Sequence, residues 1–401
     1  MIMLFNFLLG LTITLLISKS LFSFIYFQKI NNLEKTEINE SDYTVIQPIL
    51  SGDIRLEEDL TANLVNTENM KFIWLVDKSD STAIRTAEKI LKNGKYSGRV
   101  EEYSNRLKVY YLDDVQQEVN PKIFKLAQIV DKIKTEYTII LDDDSVMDRK
   151  RLNELSIYEK DKSEWIATGI PFNYNVNGFC SKLISAFINS NSIFSYFSMS
   201  FLKENRTING MFYILRTDIL KKYNAFEEIK YWLCDDLALA AYLLSKKVKI
   251  IQTTVFCNVR NTVPNFRKYI LLMKRWLLFG NVYMKNAFSV KFLFMILLPT
   301  ILPTMLLFLS FFLGISYLLT VFYLFIGKVV LFSIIRFSIY RVKIENKKKN
   351  SFLIQIMELL YELISEFILP FMLLYTLLTP PVIIWRNKKI RVKDGKIHYE
   401  L

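Results

Sequence analysis

The segment Tyr137–Ser145 constrains the fold most, because a short apolar strand ends there abruptly in three carboxylates. Its first half consists of the β-branched and aromatic residues that are typical of a buried strand. Asp142, Asp143 and Asp144 follow, and a carboxylate is costly to bury without a compensating partner. In an open parallel sheet the carboxyl ends of strands face the ligand crevice, so we expect these side chains at such a crevice.

The spacing of Asp142 and Asp144, with one residue between them, indicates what this strand end can bind. Mg²⁺ typically uses one or two carboxylates together with substrate phosphates, so an Asp-x-Asp pair at a strand end suits a metal ion and a diphosphate. The alternative interpretation is an acidic surface turn, since Asp is common in turns.

Short strands and helices alternate around this segment from Tyr43 onward. Such a β-α-β-α succession predicts an α/β domain with a largely parallel sheet. Predicted helices cover 55–66, Ser81–Leu91, Pro121–Ile133 and Asp235–Ser245. The other predicted strands are Val45–Ile49, Lys71–Val76, Leu107–Leu112, Glu164–Gly169, Asn209–Leu215 and, as the last, Lys249–Thr254.

Apolar segments lie on both sides of this predicted domain. Hydrophobic residues make up 52% of the 401 residues, so part of the chain is expected in lipid. Residues 1–27 are long enough to span a bilayer. They have no basic n-region and no clear cleavage site, which favours a retained anchor over a signal peptide. Two further predicted spans cover about 292–314 and 316–337.

Two apolar segments permit more than one interpretation. The segment Gly178–Leu202 is expected to be a buried or an interfacial helix. Residues 351–384 carry Glu358, Glu362 and Glu366 on one helical stripe. Basic residues stay on the cytoplasmic side, which requires an even number of crossings after residue 292. We therefore expect 351–384 to form a re-entrant hairpin, or an interfacial helix followed by a short hairpin.

Composition excludes several classes of site. The only histidine is His398, which excludes His-dependent nucleophilic catalysis and His-ligated zinc. Three cysteines without metal spacing indicate reduced thiols. The net charge of +13 accompanies apolar segments and no nucleic-acid module is visible, so we expect an anionic membrane surface and no nucleic-acid partner.

Three acidic sites end successive elements of the predicted domain: Asp77, Asp142–Asp144 and Asp235–Asp236. A basic helix, predicted over Phe266–Phe279, follows them. This order resembles the membrane-bound family 2-like glycosyltransferases of the GT-A fold and, more narrowly, the ceramide glucosyltransferase family. The resemblance covers about residues 43–280 and the tail. The motifs that carry it are Gln47–Gly52, Leu75–Asp77, Asn120–Lys122, Asp144–Ser145, Cys234–Asp236, Arg275–Trp276 and Trp385–Arg386.

The resemblance implies a fold class and an order of domains. It implies a GT-A type, Rossmann-like α/β domain for nucleotide sugars, inserted between an N-terminal transmembrane helix and C-terminal transmembrane or interfacial helices. The protein would be a multi-pass membrane protein with its active site on the cytoplasmic face. The predicted divisions are an anchor (1–27), a linker (28–42), the GT-A domain (43–262), a basic interfacial helix (263–290), apolar helices (291–385) and a basic tail (386–401).

The donor-side roles follow from the same resemblance. Asp77 and Asp142 would bind the nucleotide, and Asp144 would bind Mn²⁺ or Mg²⁺ that bridges the diphosphate. A metal ion neutralises charge on the leaving UDP. Lys122 and Arg275 would contact phosphate. Each residue also has a simpler interpretation: a solvated strand end for Asp77, a solvated helix start for Lys122 and a juxtamembrane arginine for Arg275.

The acceptor-side roles concern the second acidic pair and the tryptophan after the basic residue. Asp236 would be the general base, with Asp235 as second choice. One of the two could instead be a helix N-cap. Trp276 would line the acceptor site or anchor at the membrane interface. The implied reaction inverts the anomeric carbon and transfers a hexose, with glucose favoured, from a UDP-sugar to a ceramide-like membrane lipid.

Leu272 departs from the family pattern, which has Gln or Arg three residues before the arginine. This departure leaves the substrate open. A hopanoid, a diacylglycerol or a polyprenyl phosphate are alternative acceptors for the same chemistry. A non-catalytic membrane scaffold and a processive polysaccharide synthase are alternatives of other classes.

Overall fold

The computed structural model describes residues 1–93, 105–115, 119–174, 176–344, 352–385, 388–393 and 396–399. The predicted basic loop at 347–349 and Arg386 lie outside these residues. Within them the chain divides into two compact units. The α/β unit consists of 33–174, 206–260 and 381–401, and the helical unit consists of 1–32, 175–205 and 261–380.

Except for the short strand Ser145–Met147, which the sequence analysis did not predict, the described strands are close to those predicted as far as residue 254. They are β1 (Tyr43–Ile49), β2 (Lys71–Asp77), β3 (Leu107–Leu112), β4 (Tyr137–Leu141), β5 (Ser145–Met147), β6 (Trp165–Asn173), β7 (Phe212–Arg216), β8 (Lys249–Val259), β9 (Val382–Trp385), β10 (Lys388–Lys393) and β11 (Lys396–Tyr399). The prediction that Lys249–Thr254 is the last strand is wrong, since β9, β10 and β11 form a separate antiparallel sheet.

The described α-helices are numbered in chain order. They are α1 (Ile2–Asn31), α2 (Leu56–Val65), α3 (Ser81–Asn93), α4 (Pro121–Ala127), α5 (Arg149–Leu152), α6 (Ser156–Glu159), α7 (Phe179–Phe201), α8 (Thr217–Tyr223), α9 (Ala225–Ile229), α10 (Asp235–Ser245), α11 (Phe266–Ala287), α12 (Val290–Phe292), α13 (Leu298–Leu313), α14 (Ile315–Ile344) and α15 (Phe352–Leu378). A π-helical turn, Leu293–Leu297, joins α12 to α13.

The α/β unit is built on an eight-stranded sheet with the order β3-β2-β1-β4-β7-β6-β8-β5. Strands β3, β2, β1 and β4 pair in parallel, and β6 pairs in parallel with β8. Strand β7 runs antiparallel to both of its neighbours, β4 and β6. Because β1, β2 and β4 run in one direction, their carboxyl ends lie at the same edge of the sheet.

Apolar side chains cover both faces of this sheet. Along β2, Phe72 and Trp74 belong to one buried cluster, whereas Ile73 and Leu75 belong to another. Successive side chains of a strand point to opposite faces, so the two clusters lie on opposite sides of the sheet. A sheet buried on both faces needs continuous apolar strands, which is why the strands here carry few charges before their carboxyl ends.

Three helices of the described chain are long and apolar enough to cross a membrane. They cover Ile2–Asn31, Val290–Leu313 and Ile315–Ile339. All three belong to the helical unit. Their length and composition indicate a membrane protein.

Within the helical unit, α7 is largely buried, which supports the first of its two interpretations. Ser23 Oγ of α1 donates to the carbonyl of Phe194, and the rings of Phe22 and Phe201 stack with centroids 4.6 Å apart. These contacts bury α7 against α1. The face of α7 that contacts α1 is therefore buried, as expected for a buried helix.

The expectation of a hairpin within 351–384 is wrong, because residues 352–378 form the single helix α15. Glu362 and Glu366 of this helix face a neighbouring helix. Glu366 Oε2 lies 2.6 Å from Lys328 Nζ, and Glu362 Oε2 lies 2.7 Å from an Arg336 nitrogen, with both glutamates about 95% buried or more. The charged stripe therefore joins α15 to α14.

Candidate active site

The candidate site begins at the shared carboxyl edge of β2 and β4. Asp77 is the last residue of β2, and Asp142 follows the last residue of β4. The antiparallel strand β7 starts at this same edge, since Leu141 pairs with Phe212. The amide of Asp142 donates to the carbonyl of Met211 at 3.0 Å. The loop before β7 is thus held next to the acidic strand end.

Asn120 connects the start of α4 to the segment before α10. Its Oδ1 accepts from the amides of Lys122 and Ile123, at 3.0 and 3.3 Å, as an N-cap does. Its Nδ2 donates to the carbonyl of Trp232 at 3.2 Å, and its amide donates to the carbonyl of Lys230 at 2.7 Å. This one side chain therefore positions the start of α4 next to the residues that lead into Asp235.

Lys122 brings together two of the predicted acidic residues. Its Nζ lies 2.7 Å from Asp142 Oδ1 and 3.3 Å from Asp235 Oδ2, and it donates to the carbonyl of Gly210 at 2.7 Å. Burial alone would lower the pKa of Lys122, but the carboxylates of Asp142 and Asp235 raise it well above its usual range. Lys122 is therefore a permanent cation among these acids.

Asp143 and Asp144 form no ion pair with Lys122 among the described contacts, and their surroundings disfavour negative charge on both. Burial and then the repulsion by Asp142 raise the pKa of Asp144 to about 6. Burial and then the repulsion by Asp144 raise the pKa of Asp143 to about 8. Asp143 Oδ2 accepts from the amide of Leu50 at 2.6 Å, and Asp144 Oδ1 accepts from Ser145 Oγ at 3.2 Å. A cation bound at Asp144 would relieve this excess of negative charge.

The donor set suits a metal ion that is shared with a substrate. Across the described ranges no group of three or more His, Cys, Asp or Glu side chains is arranged to hold a metal. Mg²⁺ commonly takes only one or two carboxylates, with phosphate oxygens and water as the other ligands. A single carboxylate of raised pKa, as Asp144 presents, fits that mode of binding. It does not fit a site made of protein ligands alone.

Asp236 lies in the first turn of α10, next to Asp235. Burial and then the repulsion by Asp235 raise the pKa of Asp236 to about 6. Its Oδ1 accepts from Cys234 Sγ at 3.0 Å and from the amide of Leu237 at 2.8 Å. A carboxylate with a raised pKa and no directly paired cation in the described chain is suited to accept a proton.

Asp77 has a partner that the sequence analysis did not identify. Lys125 Nζ lies 3.1 Å from Asp77 Oδ2 and also donates to the carbonyl of Ile49 at 3.1 Å. The side chain of Lys125 is only 1% exposed. Lys125 follows Pro121 by four residues, so the two lie on the same, buried face of α4. Its partner on β2 depends on the sheet topology, which no local pattern predicts.

Arg275 and Trp276 lie on α11 in the helical unit. The ring of Trp276 stacks on that of Phe187, with centroids 6.2 Å apart. Leu272, one turn earlier, packs against the apolar cluster of the same unit. The proposed roles of Arg275 and Trp276 in binding stay predictions.

Three further residues near the acidic cluster were given no role in the sequence analysis. Gly210 contributes a carbonyl to Lys122, and Cys234 donates to Asp236. Tyr213 of β7 is 1% exposed, and its hydroxyl has no hydrogen-bond partner within the described chain. Burial raises the pKa of Tyr213 above its usual range, so the phenol stays neutral. The signal for Cys234 was its position beside Asp235, whereas Tyr213 looked like an ordinary strand residue.

Solved structures resemble this chain at low identity. A mannosyltransferase from Pyrobaculum calidifontis in complex with GDP-Man and Mn²⁺ is 11% identical, with a TM-score of 0.46, covering 91% of this chain and 99% of that one. The S. aureus protein TarS, residues 1–349, is 12% identical, with a TM-score of 0.36, covering 89% and 98%. Likenesses this weak carry no argument about ligands. No curated protein sequence matches the chain.

The family comparison covers nearly the whole sequence. Residues 25–398 match the family described as Glycosyl transferase family 21. The predicted fold class is confirmed in its architecture, an α/β domain on a mixed eight-stranded sheet with apolar helices before and after it. The chain belongs to glycosyl transferase family 21, and it is a glycosyltransferase.

Proposed function

We propose that the protein is an inverting, metal-dependent glycosyltransferase that moves a hexose, with glucose favoured, from a UDP-sugar to a ceramide-like membrane lipid. The observation that carries the proposal is the group of carboxylates at the carboxyl edge of β4, in a chain that belongs to glycosyl transferase family 21. The resemblance to ceramide glucosyltransferases supports the narrower choice of donor and acceptor.

On the donor side, we assign the nucleotide to Asp77 and Asp142 and the metal ion to Asp144. A bound Mn²⁺ or Mg²⁺ would supply neutralisation of the charge on the leaving diphosphate. Arg275 would offer its guanidinium to the same phosphates. We also assign Lys122 to the phosphates, because it is positively charged. Its ion pairs with Asp142 and Asp235 fix the position of its ammonium group.

On the acceptor side, the geometry favours Asp236 over Asp235 as the general base. Asp235 Oδ2 lies 3.3 Å from Lys122 Nζ, so this carboxylate is already engaged in an ion pair. Asp236 has no such pair in the described chain, and burial raises its pKa to about 6. One base suffices for a single in-line displacement, which inverts the configuration at the anomeric carbon.

The acceptor is proposed to be a lipid because three helices within the described residues are apolar enough for a bilayer. A lipid head group can reach a membrane-bound enzyme without leaving the bilayer. Basic residues near the apolar helices favour a multi-pass arrangement with the active site on the cytoplasmic face. Trp276 is assigned to the acceptor site or to the membrane interface.

The test uses membranes that contain the full chain, several labelled nucleotide sugars, a lipid extract and Mn²⁺. We expect a labelled lipid with UDP-glucose as the best donor, and a β-configured product. Asp144→Asn and Asp236→Asn are expected to lower transfer by at least about 100-fold, the scale at which one catalytic group contributes.

Each outcome decides one part of the proposal. A labelled hopanoid, diacylglycerol or polyprenyl phosphate would replace the ceramide-like acceptor and keep the chemistry. Full transfer by both variants would refute the site assignment. An α-configured product would refute the single displacement. No transfer from any donor would favour the membrane scaffold, and a polymeric product would favour the processive synthase.

A further inference from the structure

The two oxygens of the Asp236 carboxylate have different surroundings. Oδ1 accepts two hydrogen bonds, from Cys234 Sγ at 3.0 Å and from the amide of Leu237 at 2.8 Å. Burial and the nearby carboxylate of Asp236 raise the pKa of Cys234 well above its usual range, so this thiol keeps its proton and stays a donor. In the part of the chain that the structure describes, no group donates to Oδ2.

Oδ2 of Asp236, the oxygen without a donor in the described chain, lies next to the α-carbon of Gly210. A Cβ atom added to Gly210 would lie 3.3 Å from Asp236 Oδ2 and 3.2 Å from Asp236 Cβ. Contacts this short require the neighbour to move, and neither partner moves freely. The carbonyl of Gly210 is held by Lys122 Nζ at 2.7 Å, and Oδ1 of Asp236 is held by its two donors. Only a residue without a side chain leaves Oδ2 open on this side.

A hydrogen-bonded carboxylate oxygen is the weaker base of the two, because each donor withdraws electron density from it. The proton therefore goes to the oxygen without donors. We propose that Oδ2 of Asp236 is the atom that accepts the proton of the acceptor hydroxyl, and that Cys234 and Gly210 are positioning residues for it. This inference rests on the proposed function and specifies the chemistry of the same site.

In the proposed step, the O–H bond of the acceptor breaks as an O–H bond forms at Asp236 Oδ2. The acceptor oxygen forms a bond to the anomeric carbon, whose bond to the phosphate oxygen breaks. The diphosphate leaves with that electron pair. Cys234 keeps Oδ1 out of this exchange, and Gly210 leaves the volume that the incoming hydroxyl requires. Neither residue itself exchanges a proton.

The first test compares Gly210→Ala with wild type, using the full chain in membranes. The methyl group closes the approach to Oδ2, so kcat is expected to fall at least about 30-fold, a part of the 100-fold or more that a general base contributes. The KM for the nucleotide sugar is expected to stay within about twofold, because a residue that affects only the transition state leaves ground-state binding unchanged. Gly327→Ala is the matched control, since a Cβ atom there meets nothing within 4 Å.

The second test uses Cys234, so that a folding defect of Gly210→Ala leaves the inference testable. Cys234→Ala removes one donor from Oδ1, which makes Oδ1 and Oδ2 more alike and raises the pKa of the carboxylate. We expect kcat to fall about tenfold and the acid limb of the pH–rate profile to move to higher pH. Cys234→Ser keeps a donor and should restore both values. Cys180→Ala, a buried thiol elsewhere, is the control.

The outcomes separate this inference from the proposed function. A wild-type kcat in Gly210→Ala, or the same acid limb in Cys234→Ala and Cys234→Ser, overturns the inference. If wild type transfers sugar and Asp236→Asn does not, while all the positioning variants are fully active, only the inference fails. If wild type transfers no sugar, the proposed function and the inference fail together.

Discussion

Replacing Asp236 with asparagine separates the charge of this side chain from its shape. Asparagine keeps an oxygen that can accept from Cys234 Sγ and from the amide of Leu237, the two hydrogen bonds of 3.0 and 2.8 Å. Burial and then Asp235 raise the pKa of Asp236 from 3.8 to about 6, so the ionised form is disfavoured in the folded chain. We therefore expect Asp236→Asn to abolish transfer and to stabilise the fold.

The magnitude follows from proton linkage. One pKa unit corresponds to about 1.4 kcal/mol, so a shift of two units is worth about 3 kcal/mol for a fully buried group. The side chain of Asp236 is partly exposed, and screening by solvent lowers the expected gain to about 1–2 kcal/mol. Because the pKa in the folded chain is raised, the destabilisation is complete above pH 6 and disappears as the pH falls from 6 toward 3.8.

The assay is thermal unfolding of the full chain in detergent at pH 7.5 and pH 4.5. At pH 7.5 the Tm of Asp236→Asn should rise by about 2–8 °C, given 2–4 °C per kcal/mol for a unit of this size. At pH 4.5 most of the gain should be lost. Asp80→Asn is the control, because its effect on the Tm is expected to have the opposite sign. Burial of Asp80 is outweighed by the amides of Ala83 and Ser51, which lower its pKa.

Removing the charge of Asp80 should therefore lower the Tm by a similar amount at pH 7.5 and at pH 4.5, because stability from a lowered pKa is lost only as the pH falls below the ordinary value of 3.8. The reasoning is refuted if Asp236→Asn melts below wild type at pH 7.5, or if its gain is the same at both pH values. Unchanged transfer by Asp236→Asn would refute the role of this residue as the base. The two readouts are independent, so either part can fail alone.

Three further predictions concern other charges. Asp144→Asn should raise the Mn²⁺ concentration for half-maximal transfer at least tenfold, a loss of about 1.4 kcal/mol in binding; an unchanged Mn²⁺ titration would remove Asp144 from the metal site. Lys122→Met should destabilise the α/β unit by about 2–4 kcal/mol, since it leaves the partly buried carboxylates of Asp142 and Asp235 unpaired. Lys222→Met, at an exposed pair, should lower the Tm much less because solvent screens that pair; equal melting of the two variants would contradict this. Glu366→Leu should lower the Tm in detergent because it leaves Lys328 buried and unpaired, and adding Lys328→Leu should restore most of the loss; a double variant no better than the single one would contradict the pairing.

The strand ends could be predicted from sequence because they depend on local pattern. Strand β4 stops at Leu141, where the apolar run meets Asp142. Strand β8, by contrast, continues to Val259, five residues beyond its predicted end. Those residues pair with β6 and β5, and no local pattern reports such partners.

The interior of the site could be predicted only in part. The acidic residues were identified because carboxylates at strand and helix ends are unusual in sequence. Their partners were not, since Lys125 and Gly210 meet Asp77 and Asp236 only after the chain folds. The hairpin expected within 351–384 was wrong for a related reason. Charges in an apolar helix suggested a polar surface, whereas their partners lie on α14.

The ion pairs between α14 and α15 have a consequence for how the protein is made. Lys328 and Arg336 emerge from the ribosome before the glutamates that neutralise them. Each unpaired charge at the centre of a helix in lipid costs about 2.5–3.5 kcal/mol during insertion. We therefore expect α14 to be stable in an apolar environment only once α15 has packed against it and supplied the two carboxylates.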